Sequence, residues 1–263
     1  LARPARIRLP ALVTTAILLA LVALPARGEV ARKGDLIVSF GGSIAPRTLP
    51  RGGTAPIGVR VEGRVHTAGG GLPPSLRRIS LEINRNGVLY DRGLATCSVA
   101  QLQSTRTGAA LAACGDAQVG AGHVDGQVTI PDQKPFPFHG KVVAFNGRLG
   151  GRRPAILAHL YSAVPISLTF VIAFSIERIP GTFGTRLVAV VPKRTRRFIH
   201  VTRFALDLRR TYFYGGKRRS YLSAGCPAPA GFPGATFPLV RASYAFDNGA
   251  TLSSVLVRTC HAR

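Results

Sequence analysis

Alternation of apolar and polar residues with period two dominates the chain beyond its N-terminal run. Ile57, Val59, Val61 and Val65 alternate with Gly58, Arg60, Glu62 and Arg64, which predicts a strand with one buried and one wet face. Ile79, Leu81 and Ile83 repeat the pattern. Its longest instance sets Ile166, Leu168, Phe170, Ile172, Phe174 and Ile176 against Ser167, Thr169, Val171, Ala173, Ser175 and Glu177. The second set is mostly uncharged, so a central strand is expected there. Further strands are expected at 36–40, 138–145, 155–161, 186–191, 197–208, 212–214, 219–224, 237–246 and 251–260.

Turn chemistry punctuates these runs. Asn-Gly pairs stand at 86–87, 146–147 and 248–249; each predicts a hairpin, because a type I′ turn needs positive φ at both central residues. Helix is expected in one patch, between Cys97 and Cys114. There Ser98 and Gln101 have capping-box spacing and 109–113 is Ala-rich. Many short strands with little helix predict a mostly β protein, specifically an antiparallel β-sandwich. Its expected organisation is a signal peptide at 1–28, an N-terminal strand and Gly/Pro linker at 29–56, and a single sandwich domain at 57–263.

The expected signal peptide rests on Arg3, Arg6 and Arg8 followed by fourteen uncharged residues, Ala11 to Leu24. A membrane-spanning helix takes roughly 20 apolar residues, and a shorter run suits a signal peptide. Ala26-Arg27-Gly28 offers a cleavage site before Glu29, with Leu24-Pro25-Ala26 as an alternative; an uncleaved anchor is the competing reading. Four cysteines behind such a segment read as disulfides. Of three connectivities, Cys97–Cys114 and Cys226–Cys260 are favoured because each pair is local. The expected localisation is therefore secreted or cell-surface.

Charge adds a second theme. The chain carries 35 Lys and Arg against 11 Asp and Glu, for a formal net charge of +24. Thirty of the basic residues are Arg, a skew that a GC-rich genome also produces. The densest block runs from Lys193 to Arg219, with Asp207 its one acid. Within it Arg194, Arg196, Arg197, Arg218 and Arg219 are the candidate anion-binding residues, suited to bidentate contact with phosphate or carboxylate. Solvated edge-strand charge is the alternative reading of the same block.

The stretch RRTYFYGGKRRSYLSAGC, 209–226, reads as a hairpin turning at Gly215-Gly216. Its aromatics then divide between two faces, so no single stacking platform forms. The RNP pattern of an RNA-recognition sheet is also absent, and specific nucleic-acid recognition is not expected.

Catalytic motifs do not assemble. Gly41-Gly-Ser43-Ile-Ala45 lacks the last glycine of a nucleophile elbow, and no zincin, P-loop or dinucleotide motif occurs. His123, Asp125 and His139 are the one set that strand geometry could bring toward a metal. Glu177 and Asp207 are the acids to consider as a glycosidase pair. No metal or cofactor is expected.

The segments GTFGTRL (181–187), RRSYLSAGCPAPAGF (218–232) and VRTC (257–260) resemble uncharacterised secreted proteins of high-GC Gram-positive soil bacteria, with the similarity running from about Leu49 to Cys260. The resemblance implies export and pairing of the two late cysteines; it assigns no activity. The expected function is non-enzymatic. The expected partner is anionic: a wall polymer, an acidic polysaccharide, a lipid surface or extracellular DNA. A secreted hydrolase without a recognisable motif and a structural envelope component are the alternatives.

Overall fold

The structure, a computed structural model, describes residues 29–263. The expected signal peptide lies outside the described residues. The strands in chain order are β1 (Glu29–Lys33), β2 (Leu36–Ala45), β3 (Thr48–Leu49), β4 (Ala55–Pro56), β5 (Gly58–Thr67), β6 (Leu76–Asn84) and β7 (Gly87–Leu89). After the helices α1 (Val99–Leu102) and α2 (Thr107–Cys114) come β8 (Gln118–Val128), β9 (Phe136–Leu149), β10 (Arg153–Ser162), β11 (Leu168–Arg178) and β12 (Phe183–Val190). The one-turn helix α3 (Lys193–Arg196) precedes β13 (Ile199–Leu208), β14 (Thr211–Tyr214), β15 (Lys217–Ser220), β16 (Leu222–Ala224), β17 (Gly234–Phe246) and β18 (Thr251–Ala262).

Thirteen of these strands form one sheet in the order β1-β2-β5-β13-β8-β9-β10-β11-β12-β6-β17-β18-β3. Pairing is antiparallel throughout except between β18 and β3. The sheet curls until β18 faces β1 and β2. Across that seam the Arg258 guanidinium donates to the Gly42 carbonyl at 2.7 Å. A Cβ on Gly42 would stand 2.8 Å from the Arg60 carbonyl oxygen of the adjacent β5 and 3.3 Å from the Leu256 side chain across the seam, so the tight packing there requires glycine. The two layers expected of a sandwich are thus opposite walls of one continuous curled sheet. A three-stranded sheet, β4-β16-β7, closes one end, and the β14-β15 hairpin stands beside it.

Both disulfides form as favoured, Cys97–Cys114 and Cys226–Cys260. The helical patch lies where the alternation breaks, and Ser98 and Gln101 make their reciprocal capping box. The patch covers the outer face of β9, β10 and β11. Leu102, Ala110, Val143, Phe145, Ala155 and Leu157 form a satellite core beneath it, with Val171 and Ala173 at its margin. This second core explains the uncharged outer face of β11.

Several local expectations are corrected. Gly41 to Ala45, expected within the linker, continue β2 along β5. Asn146-Gly147 is interior to β9; the chain turns at Gly150-Gly151, both at positive φ. Asn146 is buried, its side-chain amide donating to the Ala95 carbonyl at 2.9 Å and its backbone carbonyl accepting from the Cys97 N–H. Asn86-Gly87 does not fold β6 back on itself: β7 leaves the main sheet and pairs with β16. Lys193 to Arg196, adjoining the expected strand, form a helical turn. The third Asn-Gly pair turns the β17-β18 hairpin as expected but not as a type I′ turn: Gly249 is at φ +80° while Asn248 is not at positive φ, and the Asn248 side chain accepts from the Ala250 N–H.

Candidate ligand-binding lumen

Inward-facing positions of eleven strands enclose an apolar lumen in two chambers. The chamber at the β16 end, about 130 Å³, is walled by residues such as Phe40, Ile44, Val59, Ile83, Leu187, Leu239 and Leu256, and capped by Val88, Leu89, Leu222 and Ala224. The chamber at the α3 end, about 160 Å³, is walled by Ile79, Val142, Leu160, Phe170, Ile172, Phe204 and Tyr244, and Thr195 of α3 reaches its end. Val61, Leu81, Ala158, Phe174 and Leu206 line both chambers and form a waist between them. Apolar cavities near 150 Å³ stay dry and accept small apolar molecules. Eight strands make a barrel that side chains just fill, whereas more strands leave room inside.

The outer wall has the opposite character. Arg60, Glu62, Arg64, Lys141, Arg203 and Asp207 project from it, all exposed. Glu82 joins Arg186 at 2.8 Å and Arg241 at 3.1 Å across β12, β6 and β17. A transmembrane barrel carries an apolar outer band around a polar interior; here the polarity is reversed. Among the described residues no helix is long and apolar enough to cross a membrane.

One polar atom is stranded in the lumen wall. Tyr244 is 4% exposed and its hydroxyl has no hydrogen-bond partner. Burial pushes its phenol well above the ordinary tyrosine value. The register places it beside Ile79 of β6 and Leu252 of β18, all three on the inner face.

The five candidate anion-binding arginines divide into two groups. Arg194, Arg196 and Arg197 belong to α3 and its C-cap, and Arg218 and Arg219 to β15. Strand β13 runs between the groups, and its ten residues separate them by roughly 30 Å. The structure therefore does not bring all five onto one face. At the α3 end, Lys193, Arg194, Arg196, Arg197, Phe198 and Asp247 line an outer cleft of about 410 Å³. Arg196 forms an ion pair with Asp247, and its Nε is buried without a partner.

At the other end the β14-β15 hairpin turns at Gly215-Gly216, both at positive φ. Tyr212 and Tyr214 pack inward, and the Tyr212 hydroxyl donates to the Tyr90 and Arg92 carbonyls, each at 3.0 Å. Its phenol is raised to about 12, chiefly by burial, with Tyr90 and Asp91 adding to the effect. Arg219 lies over the Tyr90 ring at 5.6 Å. Phe213 and Arg218 pair on the outward face, leaving the aromatics split between faces as expected.

The remaining candidates do not converge. Asp125 accepts from or ion-pairs with His139 at 2.9 Å, but His123 lies opposite Lys141. Among the described residues no group of three or more His, Cys, Asp or Glu is placed to hold a metal. Asp207 faces outward and pairs with Arg60 at 3.6 Å. Glu177 is on β11, separated from β13 by three strands in the sheet order. The two carboxylates therefore share no cleft. His159, buried under the helical patch, meets the Thr105 carbonyl at 3.0 Å through Nε2.

Sequence reasoning missed the lumen, Tyr244 and Thr195. The usable signal was the number of apolar strand faces, more than a side-chain-filled barrel needs. The fold and site define a class, a disulfide-bonded, mostly antiparallel β protein with an apolar lumen inside a polar wall. No known family, curated protein or solved structure matches the chain.

Proposed function

We propose that this chain is an exported or cell-surface binding protein, without catalytic activity, that holds an apolar ligand in its lumen. The observation that carries the reading is a pair of apolar chambers inside a water-facing wall, one reaching Leu222 and the other Thr195, with five lining residues in common. Ligand sites are typically concave and apolar with a few placed polar groups, and Tyr244 is such a group. Two disulfides suit an oxidising compartment, and the charged N-terminus with its short apolar run suits export. The dispersal of Glu177 and Asp207 supports a binding role over hydrolysis.

The test is fluorescence titration of the full, oxidised chain with the neutral probe N-phenylnaphthylamine. The expected result is saturable binding that Ala158→Leu and Val61→Phe, which fill the waist, each weaken about tenfold while circular dichroism shows an unchanged β spectrum. No binding, or equal affinity in both folded variants, overturns the reading.

The exposed Arg218 and Arg219 favour a second reading, surface contact with an anionic wall polymer or polysaccharide. Such contact is screened within about 8–10 Å in ordinary salt. Loss of polymer binding on charge reversal at both residues, with probe binding intact, would support it.

A further inference from the structure

We infer that the α3 end of the lumen is a head-group site, so that the ligand is an amphiphile with its tail in the α3-end chamber and its anionic head between Arg194 and Arg197. The inference rests on the lumen reading and names the chemical class of its occupant.

The two ends are closed very differently. At the β16 end Leu222 and Ala224 are buried, three strands pair across the opening, and Cys226–Cys260 ties the closing segment to β18. At the α3 end the closure is one helical turn with no buried residue and no side-chain N-cap bond. Segments with few buried contacts open at low cost, which makes α3 the entrance.

Charge at this entrance is unbalanced. Asp247 is the one acid lining the outer cleft, and Arg196 takes it. Lys193, Arg194 and Arg197 are exposed in the same cleft without that partner. Thr195 of the same turn faces the chamber, so basic side chains and apolar lumen are separated by a single turn of backbone. Guanidinium groups bind phosphate and carboxylate through paired, charge-assisted hydrogen bonds.

The rim favours an amphiphile over a bare anion. Val164 and Val190 are prominently exposed at this end, with Leu72, Ile166 and Phe198 less so; all lie in the loops or strand ends around α3. Below the rim, the unpartnered Tyr244 hydroxyl has a donor to give to an oxygen of the ligand. Tyr244 lies three residues before Asp247, about 10 Å along the strand exit.

The experiment is displacement of the bound neutral probe from the full, oxidised chain by dodecyl phosphate, by dodecanol and by inorganic phosphate. Dodecyl phosphate is expected to bind about tenfold more tightly than dodecanol, with inorganic phosphate failing to displace the probe. The double substitution Arg194→Glu and Arg197→Glu, at exposed positions, is expected to erase the tenfold preference and leave dodecanol affinity unchanged. Equal affinities for dodecyl phosphate and dodecanol in the unsubstituted protein overturn the head-group site and leave the lumen reading standing. Phosphate binding at the cleft as tight as that of dodecyl phosphate also overturns it, since the cleft is then an anion site independent of the lumen. If neither amphiphile displaces the bound probe, the amphiphile assignment falls, whereas the lumen reading falls only if the probe itself fails to bind.

Discussion

Arg196 and Asp247 form an ion pair that ties the turn of α3 to the loop between β17 and β18. No residue of α3 is buried, so this pair is a principal tether of the segment closing one end of the lumen. Asp247→Ala removes it. Partly exposed pairs contribute on the order of 1 kcal/mol or less, so global stability should barely change. Stopped-flow displacement of the lumen probe should accelerate several-fold, because opening α3 no longer breaks an ion pair. An unchanged rate would place the entrance elsewhere.

Two phenylalanines on the strands flanking β10 test whether the interior is a lumen or a filled core. Phe145 is fully buried beneath the helical patch, and Phe145→Ala should cost about 3–5 kcal/mol. Phe174 faces both chambers at the waist, where space already lies beside the ring. Phe174→Ala should cost only about 1–2 kcal/mol, since fewer packing contacts are lost. Urea unfolding of both variants checks the difference, and equal losses would mean that the lumen is closed in solution.

The two disulfides should differ in weight. Cys226–Cys260 spans 34 residues and Cys97–Cys114 spans 17. The chain-entropy relation gives about 4 and about 3 kcal/mol respectively. Paired Cys→Ser substitutions, followed by denaturant midpoints, measure each. Removing Cys97–Cys114 should also expose His159, raising hydrogen exchange around Thr105 before the main sheet opens.

Alkaline pH should expose the buried tyrosines. Burial raises the phenols of Tyr212, Tyr221 and Tyr244, with that of Tyr212 at about 12 against an ordinary 10.0. A phenol that keeps its proton longer in the folded state supports folding below pH 10 and loses that support as pH rises toward its folded value. Between pH 10 and 12 the melting temperature should therefore fall. Phenolate absorbance should show the buried Tyr221 and Tyr244 ionising only as the protein unfolds. A single transition at pH 10 with no loss of structure would contradict the buried positions of Tyr221 and Tyr244.

Much of the fold was legible along the chain. Period-two runs located the long strands, because alternation directly records one wet and one dry face. The capping box, the paired local cysteines and the Gly215-Gly216 turn were equally readable, since each depends on residues close in sequence. The turn at Asn248-Gly249 belongs with them. Asn146-Gly147 carries the same dipeptide and does not turn, because the Cys97 backbone and Leu157 pack against it from another part of the chain. The candidate arginines clustered in sequence, yet a ten-residue strand carries them to opposite ends of the barrel.

What the sequence by itself determined is the strand inventory, the covalent staples and which face of each strand avoids water. What only the tertiary structure decided is what those dry faces meet. Hydrophobic burial is non-directional and sets no distance between opposing walls. Whether apolar faces interdigitate or stand apart depends on how many strands the sheet carries before it curls shut. Here eleven strands surround the interior, the opposite walls do not fill it, and the gap between them is the site.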